Sequence, residues 1–265
     1  MNRLISIYGL LLVTCAAAPA QDWARAKLDK SSRHQEWVKV QSGTREVQCF
    51  VVYPEVKYKA TTIIMIHEIF GLTDWAREMA DELAAEGYIV IAPDLLSGSG
   101  PNGGGSDTFT NQSAVTKAVS GLPPDQVTAD LNAAASYVTN IPAANGKVVV
   151  AGFCWGGGQS FRFATNNKDV RAAFVFYGMP PKPDDSTKIN CPVFGFYAGN
   201  DARVTVTVPK AAEQMRAAGK TFEPVTYDGA GHGFMRAGEA PDASDANKKA
   251  RAGAFQRMVD LLKKI

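Results

Sequence analysis

The sequence predicts an α/β fold, with a mostly parallel central sheet, helices on both faces and an N-terminal antiparallel hairpin. Three observations carry this. Short, continuous apolar runs such as Thr61 to Ile66, Val148 to Val150 and Val193 to Tyr197 recur along the chain, as in strands buried on both faces. Stretches with helical apolar spacing lie between them. Only near the start, over Glu36 to Gln41 and Val47 to Tyr53, do residues alternate like two half-exposed strands of a hairpin.

The elements follow in order. After an amphipathic lead-in and the hairpin comes the Thr61 strand. Asp74 to Gly87 is then a helix with Trp75, Met79 and Leu83 on one face. Tyr88 to Ala92 is a strand stopped by Pro93. Ser97 to Ser106, with Gly98, Gly100, Gly103, Gly104 and Gly105, reads as a mobile surface loop at a strand's carboxyl end, placed to border a site. Pro124 opens a helix that turns Val127, Leu131, Ala134 and Val138 inward. Next come the Val148 strand, a helix after Cys154, and strands over Val170 to Tyr177 and Val193 to Tyr197. A helix near Pro209 to Ala218, a strand near Phe222 to Tyr227, and a last helix with Phe255, Met258, Val259 and Leu262 complete the chain.

The 265 residues are 46% hydrophobic and 20% charged, enough for one sizeable core. No repeat or linker divides the chain, so residues 21–265 read as a single catalytic domain. A net charge of +2 without a basic stripe argues against nucleic acid as a partner. Met1 to Ala20 has the form of a signal peptide, with Arg3 ahead of an apolar Leu4 to Val13 core and Ala18-Pro19-Ala20 as the cleavage site. Export to the periplasm or beyond is expected, with cleavage before Gln21. Leu12-Val13-Thr14-Cys15 matches a lipoprotein signal only loosely, and the apolar run is too short for a membrane span. Of the 4 cysteines, Cys15 leaves with the leader. Cys49, Cys154 and Cys191 remain, an odd set that predicts a free thiol. Cys49 and Cys191 fall on strands expected to lie far apart, which argues against a bridge between them.

The chemistry concentrates around Gly152-Phe153-Cys154-Trp155-Gly156, a Gly-x-Cys-x-Gly turn directly after a strand and before a helix. This is the pattern of a nucleophile elbow with sulfur in place of oxygen. A thiol at a helix N-terminus is favoured as thiolate. Taken alone, the stretch reads equally as a tight turn with a core cysteine. A nucleophile needs a base and the base an orienting acid, in the order nucleophile, acid, base for this arrangement. His232, in Gly231-His232-Gly233-Phe234, is the one histidine after Cys154. Asp201 follows the Val193 strand directly, whereas Asp184 and Asp185 lie in a polar loop and fit less well. Glu68 stands at the carboxyl end of the Thr61 strand, where sites in such sheets lie. His67 beside it reads as a structural strand-end histidine. The backbone N–H groups of Ile69 and Trp155 fall where oxyanion donors are needed. Phe70, Phe109, Trp155, Tyr177, Phe234 and Met235 can line an apolar pocket or serve as core.

Together His67-Glu68-Ile69-Phe70-Gly71, Ala92-Pro93-Asp94-Leu95, Gly152 to Gly157, Gly199-Asn200-Asp201 and Gly231-His232-Gly233-Phe234-x-Arg236 resemble the dienelactone hydrolase family, from about Gln35 to the C-terminus. The resemblance implies an α/β-hydrolase fold and a Cys154–His232–Asp201 triad. It also implies that Glu68 partners the resting thiol and accepts its proton when substrate arrives, and that Arg236 binds a substrate carboxylate. A second arginine of that carboxylate clamp would fall near Gly98, and none stands there. The expected protein is a monomeric hydrolase of a small ester or lactone, acting through an acyl-enzyme, with no metal or organic cofactor. A binding protein on the same fold, a thioesterase and a peptidase remain as alternatives.

Overall fold

The computed structural model describes residues 21–265, so the signal peptide and the lipid-anchoring alternative at Cys15 lie outside the described residues. The chain enters through α1 (Asp22–Leu28), then β1 (Gln35–Ser42) and β2 (Arg45–Val52), joined by a two-residue turn with Gly43 at φ 60°. There follow β3 (Ala60–Ile66), α2 (Asp74–Ala85), β4 (Ile89–Pro93), α3 (Gln112–Ser120), α4 (Pro124–Thr139), β5 (Ala144–Phe153) and α5 (Trp155–Asn166). The rest comprises β6 (Val170–Phe176), β7 (Val193–Ala198), α6 (Ala202–Thr205), α7 (Val208–Ala217), β8 (Phe222–Tyr227), α8 (Phe234–Ala237) and α9 (Asp245–Leu262).

The strands form one sheet in the order β1-β2-β4-β3-β5-β6-β7-β8. β1, β2 and β4 pair antiparallel and the rest are parallel. Side chains alternate across the sheet, so neighbours in β3 serve opposite cores. Ile63 and Met65 join Trp75, Met79 and Leu83 of α2 and Met258 of α9. Ile64 and Ile66 join Val127, Leu131 and Val138 of α4 and Phe161 of α5. Cys49 and Cys191 are buried and unbridged, in β2 and just before β7, with four strands between these two.

A partly buried charge cluster fastens α1 to the body. Lys27 Nζ donates to Glu78 Oε1 at 2.9 Å and to Glu239 Oε2 at 2.7 Å, and lies 3.7 Å from Glu82. Arg251 of α9 pairs with Glu82 and, through Nε at 3.1 Å, with Glu239. The Trp75 indole N–H also donates to Glu239. Three carboxylates thus share two cations. Burial, with the charges of Glu239 and Glu82, pushes the Glu78 carboxyl up to about 9 against the pull of Lys27.

Unfolded, Glu78 ionises in the ordinary carboxylate range; folded, it keeps its proton to much higher pH. Folding therefore takes up a proton between these limits, and stability falls as pH rises through them. Glu78→Gln keeps the neutral shape and removes this dependence. Thermal melts between about pH 5 and 8 should fall less steeply with pH for the variant than for the wild type; parallel slopes would contradict the assignment.

Candidate active site

The sheet register brings the candidate residues to one edge. Ile66 lies opposite Gly152, Phe153 opposite Phe176, Phe176 opposite Phe196, and Ala198 opposite Tyr227. Glu68, Cys154, Tyr177, Asp201 and His232 follow those strands and emerge together at their carboxyl ends. Beneath them Phe153, Phe176 and Phe196 stack across β5, β6 and β7, with ring centroids 4.6 and 4.2 Å apart. This apolar floor supports the strand ends.

Cys154 joins β5 to α5 at φ 57° and ψ −116°, a conformation that a residue with a side chain rarely adopts. The turn closes because Gly152 and Gly156 have no Cβ. One on Gly152 would strike the Gly156 carbonyl, and one on Gly156 the carbonyls of Ile66 and His67.

His232 Nε2 lies 3.1 Å from Cys154 Sγ, and its Nδ1 lies 2.5 Å from Asp201 Oδ2. An ionised carboxylate only accepts, so Nδ1 carries the hydrogen and Nε2 is free to take the thiol proton. Asp201 Oδ1 accepts the Val204 amide at 3.2 Å as the cap of α6. The loops after β7 and β8 are laced together: Gly199 and Asn200 donate backbone N–H to Tyr227 and Ala230 carbonyls. The Gly231 amide donates to Asn247 of α9. These bonds hold the acid and the base in register.

Burial, and then the Glu68 charge, push the Cys154 thiol above its ordinary range. The Trp155 and Ile69 amides face the sulfur and pull the other way, as does Arg203 more weakly. Arg203 is exposed on α6 and makes no ion pair among the described residues. Its place two residues after Asp201 was the one sequence signal for it.

Glu68 is buried. Arg236 Nε donates to its Oε2 at 2.6 Å and the Tyr177 hydroxyl to its Oε1 at 3.4 Å, while the guanidinium lies over the Phe70 ring. The thiol therefore rests on His232 while Glu68 is held by Arg236 and Tyr177, a different arrangement from the thiol–Glu68 partnership implied by the resemblance. Tyr177 is 1% exposed and Phe234 0%. Tyr177 packs edge-on against His232 and Phe234. These two expected wall residues brace the site from behind and present no face to a substrate; Met235 is likewise core. Phe70 and Phe109 are half-buried.

The glycine-rich loop is more ordered than expected. Asp94 accepts the Ser106 amide at 2.7 Å and its hydroxyl at 2.6 Å, and Ser106 Oγ accepts the Leu72 amide at 3.0 Å. The loop thus folds against Gly71 and Leu72, just beyond Ile69 and Phe70. Arg45 Nη1 passes 4.0 Å from where a Gly98 Cβ would stand, but its Nε and Nη2 bind Asp130 and the Leu95 carbonyl. It does not replace the missing clamp arginine.

A sequence model of the dienelactone hydrolase family matches residues 47–265. A protein of Methylorubrum extorquens with the provisional name carboxymethylenebutenolidase is 36% identical over 186 residues, which cover 65% of this chain and 62% of that protein. One of Salmonella typhi with the same provisional name is 33% identical over 209 residues, 75% of each chain. Among solved structures, a provisionally named dienelactone hydrolase from Klebsiella pneumoniae aligns with a TM-score of 0.77 at 26% identity, covering 89% of this chain and 100% of that one. A Pyrococcus horikoshii acylaminoacyl peptidase shares the α/β-hydrolase fold alone, with a TM-score of 0.66 at 13% identity over 89% of this chain and 42% of that one.

Glu68→Gln removes the carboxylate charge that opposes thiolate formation and leaves Arg236 unopposed, and both changes favour the thiolate. Alkylation of Cys154 by iodoacetamide, followed against pH, should show a lower midpoint in the variant. An unchanged or raised midpoint would contradict this electrostatic reading.

Proposed function

Because the chain belongs to the dienelactone hydrolase family, we propose that it is an exported hydrolase of small carboxylic esters or lactones with Cys154 as its nucleophile. The observation that carries this is the continuous line Asp201–His232–Cys154, at 2.5 and 3.1 Å, with the Ile69 and Trp155 amides facing the same sulfur. His232 Nε2 takes the thiol proton as sulfur adds to the substrate carbonyl. The two amides receive the charge that develops on the carbonyl oxygen. His232 then protonates the departing alkoxide, leaving a thioester on Cys154. It next takes a proton from water, which attacks the thioester and releases the acid and the thiol. Asp201 holds the imidazole in the tautomer these transfers need.

Glu68 acts through charge. It keeps the resting thiol largely protonated, which limits reaction with stray electrophiles and oxidants. For the substrate, the ring-opening of a butenolide suggested by the relatives' names fits an acyl-transfer site of this kind. The vacant clamp position at Gly98 favours substrates that depend less on two-point carboxylate binding. Export rests on the Arg3 to Ala20 pattern, and a small-molecule substrate with a monomeric enzyme completes the reading.

Cys154→Ala should lower hydrolysis of short p-nitrophenyl esters by about 1000-fold or more. Wild-type enzyme quenched in acid during turnover should carry one acyl group on the Cys154 peptide by mass spectrometry. Wild-type rates in the alanine variant would overturn the assignment.

A further inference from the structure

His67 is fully buried at the end of β3, next to Glu68, and the reaction above gives it no part. Its Nδ1 lies 2.7 Å from the carbonyl oxygen of Glu68. A carbonyl only accepts, so Nδ1 carries the hydrogen and Nε2 is bare. Burial pushes the imidazole below its ordinary pKa and keeps it in this neutral form. The Glu68 carbonyl and the Ile69 N–H are two ends of one planar peptide. Fixing the carbonyl therefore fixes the direction of the N–H that faces Cys154. A hydrogen bond to the carbonyl also polarises the amide and strengthens the N–H as a donor. On its other side the His67 ring stacks on the Trp155 indole, with centroids 5.6 Å apart and planes 16° from parallel. Trp155 supplies the second amide at the sulfur.

We propose that His67 is a positioning residue for the oxyanion site, holding the Glu68–Ile69 peptide through its Nδ1–H and bracing Trp155 with its ring. The proposal rests on the hydrolase reading and adds the group that aims its oxyanion donors. The bare Nε2 has no protein partner among the described residues. Phenylalanine would fill the space without that cost, so histidine is explained by what Nδ1 does.

Three variants test it. His67→Leu removes the donor, His67→Asn places an amide N–H near the position of Nδ1, and His67→Gln places one near Nε2 instead. With short p-nitrophenyl esters, kcat should fall by about 10- to 100-fold in the leucine and glutamine variants while KM changes less than about twofold. The asparagine variant should recover most of kcat. A displaced Ile69 amide also withdraws support from the thiolate, so the pH midpoint of iodoacetamide alkylation should rise in the leucine and glutamine variants and not in asparagine. Should leucine disrupt folding, the pairing of glutamine with asparagine carries the comparison. Unimpaired kcat in leucine, or equal loss in asparagine and glutamine, overturns the positioning role while leaving the hydrolase reading intact. A wild type inert to esters and lactones overturns both.

Discussion

The site depends on one backbone constraint, the turn that sets Cys154 between β5 and α5 at positive φ. It aims a side chain out of the sheet's carboxyl edge and places the Trp155 amide beside it. The conformation is strained for cysteine, and such strain persists only where the surroundings over-determine it. Here they do. Gly156 packs on the carbonyls of Ile66 and His67, so the elbow presses against the end of β3. The Cys154 amide donates to the Phe176 carbonyl at 3.0 Å, tying the turn to β6. The Cys154 thiol, the Trp155 amide and the Glu68 strand end are therefore parts of one packed joint.

A second constraint arrives through charge. α8 is a single turn, yet it joins two buried polar systems. Arg236 binds Glu68 at the site, and Glu239, just beyond the helix, enters the cluster with Lys27, Arg251 and Trp75. The loop bearing His232 leads directly into this helix. The position of His232 is thus fixed by α9 and α8, without a disulfide among the described residues.

Much of this was legible in the sequence because two signals are local. Continuous apolar runs marked the parallel strands, and Trp75, Met79 and Leu83 or Val127, Leu131 and Val138 marked the helix faces that pack on them. Chain order paired Cys154 with His232, and a place directly after a strand singled out Asp201. What escaped depends on distant partners. Tyr177 read as pocket or core because nothing local shows that its hydroxyl meets Glu68, more than one hundred positions earlier. α6 and α8 are each 4 residues long and are defined by their caps and contacts, with no periodicity to detect. The glycine-rich loop looked unstructured because its order comes from Asp94 at the preceding strand's end. His67 looked structural because the group it meets, the Glu68 carbonyl, is one that every residue type shares.

The burial of Cys49 and Cys191 has a consequence for how the protein meets its surroundings. Burial pushes their thiols up to about 12 and 11, so at neutral pH both stay protonated and serve as packing atoms. Cys154 is the partly exposed sulfur of the three. Among the described cysteines, quinones and soft metal ions therefore meet Cys154 first, and in the proposed reaction damage to that sulfur and loss of hydrolysis are one event.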